Sequence, residues 1–368
     1  MKLADRRSLI DSSGIRRIFD LAAKMENPCN LSIGMPDFDV PDPVQEAAIT
    51  AIRTGRNAYT PTAGIPALRR KIRDRYERWG YPHEDVLVTA GTSGALFQLF
   101  LVTLNPGDEV LFADPYFVMY KHLLRFVGAK PVPVDTYPDF RLTVERLEKA
   151  VTPRSRMLIV NSPNNPTGLV YPEAEAKALA EFAKRHDLIL VSDEIYDLFA
   201  FDGPMASVAK HHPSPVIISG LSKTVAVTGW RLGWMAGPAD LIKAMVEVQQ
   251  YSFVCAPSMA QEAAVVAMDT DMSDQVRAYA RRRDLIYSGL QEAGYAVNRP
   301  QGAFYIFPEA PGGDGEKFVY RAVEKGLLIV PGNVFSEKNT HFRISFAAKE
   351  ETIRRGLGIL RELRGDFA

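Results

Sequence analysis

The stretch Gly220-Leu-Ser-Lys223-Thr-Val-Ala-Val-Thr-Gly-Trp-Arg231-Leu-Gly233 reads as a strand that ends, a lysine at once, and an arginine eight residues on, before another apolar run. A lysine held against apolar surface or other cations loses proton affinity and becomes a nucleophile for carbonyls, hence a Schiff-base former. Arg231 carries the planar fork that grips a phosphate through two hydrogen bonds. A solvated lysine and arginine flanking a loop is the plainer alternative. In Leu188-Ile-Leu-Val-Ser-Asp193-Glu-Ile-Tyr196 a buried-looking strand ends in a carboxylate. A buried acid needs a partner, and a protonated ring nitrogen would serve. An N-cap or an ion-paired aspartate would also explain it. Gly91-Thr-Ser-Gly94 follows the run VLVTA and opens a helical stretch. Such a turn aims backbone N–H groups and a helix N-terminus at one spot, which suits a phosphate, although a plain N-cap by Thr92 or Ser93 reads equally well. It is neither a Walker A loop nor a GxGxxG fingerprint. Asn161-Ser-Pro-Asn-Asn-Pro-Thr-Gly168 follows the run MLIV and demands a defined loop at the end of a strand, where open α/β sheets bind ligands.

The elements that must position these residues alternate. Helix 66–79 precedes strand 85–89 and helix 95–104. Strands 109–113 and 131–134, helix 143–151, strand 157–160, helix 173–186 and strands 188–192, 216–219 and 232–236 follow. This order predicts an α/β fold with a mostly parallel sheet covered by helices on both faces. Beyond residue 240 the character changes. Helical patterns over 239–250 and 258–290, strands 303–307 and 341–346, and helices 316–324 and 349–363 read as a smaller α+β region.

The chain has 368 residues, enough for one large core or two domains. Lys+Arg and Asp+Glu are 44 each, so a zero net charge removes the general electrostatic case for a nucleic-acid or acidic-membrane binder. Two cysteines, Cys29 and Cys255, cannot build a disulfide framework and read as small buried residues. No HxxH, HExxH or CxxC pattern points to a metal. The N-terminus lacks the apolar core of a signal peptide, and no apolar run reaches the roughly 20 residues of a membrane span, so a soluble cytoplasmic protein is expected.

Taken together, these motifs resemble those of the pyridoxal-phosphate-dependent aminotransferases of fold type I, class I, in the subgroup rich in aspartate and aromatic aminotransferases. The resemblance covers nearly the whole chain. It runs from Ser13-Gly-Ile-Arg-Arg-Ile-Phe-Asp20 through Ile33-Gly-Met-Pro-Asp-Phe-Asp-Val-Pro41, Tyr59-Thr-Pro-Thr-Ala-Gly-Ile-Pro-Ala-Leu-Arg69 and the four motifs above. It continues through Gly302-Ala-Phe-Tyr-Ile-Phe307 and Val330-Pro-Gly332 to Phe342-Arg-Ile-Ser-Phe-Ala347.

The resemblance implies a seven-stranded sheet in a large cofactor domain, residues 42–270, and a small domain built from 1–41 and 271–368. It implies that Lys223 forms the Schiff base with pyridoxal 5'-phosphate and then moves the substrate α-proton. Asp193 would pair with the ring nitrogen, Asn165 and Tyr196 with the ring oxygen, and Phe117 would stack on the ring. Thr92, Ser93, Arg231 and the backbone of Gly91 would hold the phosphate. Arg343 would grip the substrate α-carboxylate, helped by Asn165 and the backbone of Gly34. Tyr59 would reach the phosphate of a neighbouring subunit, which makes a homodimer with shared sites. Some relatives carry a serine three residues before the lysine; here that residue is Gly220, and Ser222 or else Ser219 must compensate.

The implied activity is ping-pong amino transfer from an L-amino acid to a 2-oxo acid, with 2-oxoglutarate as acceptor. The donor stays open among aspartate, aromatic and other neutral amino acids, since no second cation for a distal carboxylate can be assigned. A lyase of the same fold, acting on C–S bonds, is the second reading. A non-enzymatic cofactor-binding regulator is the third, although a match beginning by residue 13 leaves no room for a DNA-binding domain. His122, His211 and His212 read as surface or capping residues, Arg69-Arg70-Lys71 as a solvated helix face, and Arg281-Arg-Arg283 as structural.

Overall fold

Strands with no polar face must be covered on both sides. The computed structural model, which describes residues 3–10 and 25–367, arranges them that way. After a two-residue strand, β1 (Cys29–Asn30), come β2 (Asp85–Thr89), β3 (Glu109–Asp114), β4 (Lys130–Asp135), β5 (Ser155–Asn161), β6 (Ile189–Asp193), β7 (Val216–Gly220) and β8 (Gly233–Gly237). The last seven form one sheet in the order β2-β8-β7-β6-β5-β3-β4. Only β8 runs against its neighbours; the other pairings are parallel. This is the mostly parallel α/β sheet expected.

Side chains alternate across the sheet. Val191, Val216, Ile218 and Met235 face a layer with Leu96, Leu99 and Phe100 of the helix Gly91–Thr103 and Met245 of the helix Ala239–Gln250. Their neighbours Ile217, Trp234 and Ala236 face the opposite layer, with Leu68 and Ile72 of the helix Pro66–Trp79 and Ala260 and Ala263 of the helix Ser258–Ala267. Each fully buried side chain of this size contributes about 1.5–3 kcal/mol.

A further core gathers Cys29 and Leu31 with residues from Tyr279 to Leu363. It also takes in Ile195, Tyr196 and Phe199, so the chain just beyond β6 belongs to both regions. Here β9 (Tyr305–Ile306), β11 (Val330–Pro331) and β12 (Phe342–Ser345) form a three-stranded antiparallel sheet, while β10 (Leu327–Leu328) pairs with β1. Among the described residues, no helix is long and apolar enough to cross a membrane.

Several expectations need correction. The helix expected over 258–290 is two, Ser258–Ala267 and Ser273–Glu292. Asp271 breaks it by accepting the backbone N–H of Ser273 at 2.9 Å, a local bond that competes with helix continuation. The helix expected over 143–151 shrinks to Val144–Glu148, started by the Thr143 side chain. The strand expected over 303–307 keeps only Tyr305–Ile306, because Ala303 adopts φ 54. Cys255 is half-buried rather than buried. Arg69 is not merely solvated: it donates to Asp85 at 2.5 Å and to the Val86 carbonyl at 2.9 Å. Arg283 is structural, as read, and ties Asp284 at 2.6 Å to the Pro300 carbonyl at 3.0 Å. The Ser13–Asp20 motif lies outside the described residues.

Candidate active site

Register brings the motifs together. Asn161 pairs with Asp193 across β5 and β6, and Gly233 pairs with both Gly220 and Thr89. The loops leaving β2, β5, β6 and β7 and the loop entering β8 therefore open at one edge of the sheet. A cavity of about 280 Å3 lies there, lined by Gly34, Thr92, Ser93, Phe117, Asn165, Asp193, Tyr196, Ser222, Lys223, Arg231 and Arg343. Eleven of the thirteen residues singled out in the sequence thus share one space. Gly91 lies against the Arg231 guanidinium: a Cβ there would stand 2.5 Å from Nη2. Tyr59 is not among the lining residues and is 83% exposed.

Lys223, three residues beyond β7, donates from Nζ to the Gly34 carbonyl at 2.7 Å. Burial, then the positive charges of Arg343 and Arg231, bring its pKa down to about 8. Asp193 is buried, and its Oδ2 accepts the Tyr120 hydroxyl. Burial raises its carboxyl to about 6, against the bonds from Tyr120 and the Ile195 backbone. Oδ1 is buried with no hydrogen-bond partner. A buried carboxylate oxygen left open costs free energy, and a protonated nitrogen in the cavity would remove that cost.

At the other end, the helix Gly91–Thr103 has no side-chain N-cap, so its first N–H groups remain free for an anion. Gly91 at φ 73 makes the turn. Gly233 lets this turn lie on β8, since a Cβ there would stand 2.7 Å from the Thr92 nitrogen. Arg231 arches over in a left-handed conformation (φ 52), held by a 2.9 Å bond to the Thr228 carbonyl. Gly220 also has a reason here. A Cβ would stand 3.0 Å from the Gly233 Cα and 3.1 Å from the Leu232 carbonyl, so the sheet leaves little room for a serine. Of its two proposed substitutes, Ser222 lines the cavity, whereas Ser219 turns away to the Glu194 carbonyl at 3.2 Å.

Arg343 is held from several sides. Nη1 donates to Asn165 Oδ1 and Nη2 to the Ser32 carbonyl, each at 3.0 Å. The rings of Tyr305 and Phe335 each lie 4.4 Å from its guanidinium carbon. Nε is buried and unpartnered. A buried cation calls for an anionic partner, and a carboxylate fits the fork. Asn165 is fixed by its own N–H, which donates to Asn161 Oδ1 at 2.9 Å.

Sequence reasoning missed Tyr120, Tyr305, Asn161, Ile195, Thr228 and Met35. All of these but Tyr120 stand inside motifs already noted. Tyr120 sits on a helix, Met119–Phe126, and nothing in its local pattern points to Asp193, 73 positions away.

Lysine, carboxylate and two arginines converging on the carboxyl edge of a mostly parallel sheet define a fold built for chemistry on small anionic molecules. A family model for aminotransferases of class I and II matches residues 26–360. A probable aspartate aminotransferase of Methanocaldococcus jannaschii is 39% identical over 376 residues, covering 98% of this chain and 99% of that protein. An aromatic-amino-acid aminotransferase of Thermococcus litoralis is 36% identical over 376 residues, covering 97% of each. A solved Thermus thermophilus aspartate aminotransferase mutant, 37% identical, superposes with a TM-score of 0.94 over 99% of this chain and 100% of its own. The chain belongs to the class I and II aminotransferases. It is an enzyme that transfers amino groups between amino acids and 2-oxo acids, in a family that generally works with pyridoxal phosphate.

Proposed function

We propose that the chain binds pyridoxal 5'-phosphate at this cavity, with Lys223 as the attachment residue. It would pass the amino group of aspartate or an aromatic amino acid to 2-oxoglutarate in a ping-pong cycle. The observation that carries this reading is the pairing of an amine brought down to about 8 with an unpartnered buried Asp193 oxygen in one cavity. The residues fit the group: a carboxylate for a ring nitrogen, an uncapped helix start and Arg231 for a phosphate, and Phe117 for a ring face. When bound, the cofactor supplies an electron sink for negative charge at the substrate Cα.

The chain's own residues do the rest. Asp193 holds a proton on the ring nitrogen by its negative charge. The Lys223 Nζ, as a free amine beside the substrate, would take the proton from the substrate Cα and return it, acting first as general base and then as general acid. Arg343 fixes the substrate carboxylate and so decides which bond at Cα faces the ring. Asn165 holds Arg343 in place, and Tyr196 would donate to the ring oxygen of the bound cofactor. Gly34 and Lys223 meet through the Gly34 carbonyl, which keeps the amine within the cavity. The names of the similar proteins support the donor classes. We further propose a homodimer in which Tyr59 serves the partner's phosphate; its 83% exposure supports this reading.

The test is borohydride reduction of one portion of the loaded protein, read by peptide mass spectrometry, with amino-transfer assays of an unreduced portion using aspartate, phenylalanine and tyrosine. Cofactor mass on the Lys223 peptide, lost in Lys223→Ala together with turnover, is expected. Full turnover in Lys223→Ala would remove the lysine from its role.

A further inference from the structure

Tyr305 lines the cavity beside Arg343 and Tyr196. It lies on β9 opposite Ser345 of β12, so Arg343, two residues earlier on β12, is its diagonal neighbour on the same face. It is only 1% exposed. Its ring centroid lies 4.4 Å from the guanidinium carbon of Arg343, and that of Phe335 lies at the same distance. Its hydroxyl lies 2.9 Å from that of Tyr196. Gly34 is shaped to it: a Cβ at that position would stand 2.6 Å from the Tyr305 oxygen.

Resting on the function proposed above, we infer that Tyr305 is a positioning residue with two separable tasks. Its ring braces the carboxylate-gripping Arg343, and its hydroxyl orients that of Tyr196. Two phenols within one hydrogen bond share a single donated proton. If Tyr305 donates, Tyr196 keeps its own proton for an acceptor in the cavity. The Arg343 charge acts on both phenols but lies directly over the Tyr305 ring at 4.4 Å, which favours this direction; burial, the larger influence, keeps the hydroxyl protonated. Burial also holds the Tyr196 hydroxyl protonated far above neutral pH. A hydroxyl that receives a hydrogen bond is a stronger donor in turn. Tyr196 would therefore stabilise an anionic oxygen in the cavity better with Tyr305 behind it than without.

Two substitutions separate the tasks. Tyr305→Phe keeps the ring and removes the hydroxyl; Tyr305→Leu removes both. Each protein is loaded with pyridoxal phosphate, its absorbance is titrated across the neutral range, and KM and kcat are measured with the best amino donor. Affinity of the cofactor-free protein for pyridoxal phosphate is read separately by fluorescence.

Loss of the hydroxyl should raise the midpoint of the absorbance change by about half a pH unit to one unit. KM for Tyr305→Phe should stay within about twofold, whereas Tyr305→Leu should raise it by about 5- to 30-fold through the lost cation–π contact. In a Tyr196→Phe background, Tyr305→Phe should add no further midpoint shift, because its route is gone. A wild-type midpoint in Tyr305→Phe, or an undiminished shift in that background, overturns the hydroxyl task. Equal KM in the Phe and Leu variants overturns the ring task. Failure of the wild type to bind pyridoxal phosphate sinks the functional reading itself, which the fluorescence titration reports independently.

Discussion

A single buried proton distinguishes three residues in this molecule. Lys223, brought down to about 8, should gain reactivity toward an amine-directed reagent as pH rises through about 8 in the cofactor-free protein. Ordinary lysines gain it only near their usual value of about 10.4. Peptide mass spectrometry of partially acetylated protein reads this directly, and a Lys223 curve matching that of surface lysines contradicts it. Asp193 should tolerate Asn sterically but not electrostatically. Asp193→Asn is expected to lower kcat by about 100-fold or more with the fold intact by circular dichroism; near-normal kcat would deny the carboxylate its role. Glu194, the next residue, points through the other face of the sheet. Its Oε1 accepts Ser192 at 2.6 Å and also the Ser207 hydroxyl, and Oε2 is unpartnered. Burial raises it from the ordinary 4.5 to about 7. The folded chain therefore holds a proton that the unfolded chain has released. The contribution of this group is fully present below pH 4.5 and is lost as pH rises through about 7. Glu194→Gln should reduce that loss by an amount on the order of 2 kcal/mol, seen as a smaller gap between urea midpoints measured at acidic and alkaline pH. An unchanged gap would count against it.

At the scale of elements, the phosphate end depends on backbones that touch. The helix Gly91–Thr103 begins directly on β8, and the contact exists because Gly233 has no Cβ, while Gly91 without one leaves room for Arg231. Gly91→Ala would require φ 73 from a residue that disfavours it and would press on Arg231 Nη2. The strain costs about 1–2 kcal/mol. Affinity for pyridoxal phosphate should fall by about tenfold or more as the guanidinium is displaced, while cavity residues on β6 and β12 are undisturbed. Equilibrium titration of the cofactor-free variant checks this, and a wild-type constant would show that Arg231 does not depend on the turn. The same closeness explains Gly220. With β7 packed so tightly on β8, the serine that lines the cavity is Ser222, on the loop.

At the scale of the molecule, the proposed homodimer would bring the exposed Tyr59, which does not line the cavity of its own chain, to the site of a second subunit. Subunit mixing tests this. Tyr59→Ala and Lys223→Ala damage different subunits of one site. A heterodimer of the two therefore carries one doubly damaged site and one intact site. Co-refolded mixtures should exceed the mean activity of the two parents severalfold; activity at the mean, or a stable active monomer by light scattering, removes the shared site.

Much of this was legible in the chain itself. The alternation of apolar runs and helical stretches determined the mostly parallel sheet, because strands without a polar face require cover on both sides. Loop motifs at strand ends marked Lys223, Asp193, Asn165 and Arg231, because each breaks a local pattern: a charge or amide where an apolar strand stops. What lacked a local signature was decided in three dimensions. Tyr120 stands in no motif, Tyr305 stands in one that says nothing of its hydroxyl, and only the packing of distant elements aims these hydroxyls at Asp193 and Tyr196. The division of the expected 258–290 helix depended on one side chain bonding its own backbone. Sequence spacing determines which residues stand at the edge of the sheet. The partner that each one meets, and so its charge state, is set by burial and by neighbours remote in the chain, which only the tertiary structure supplies.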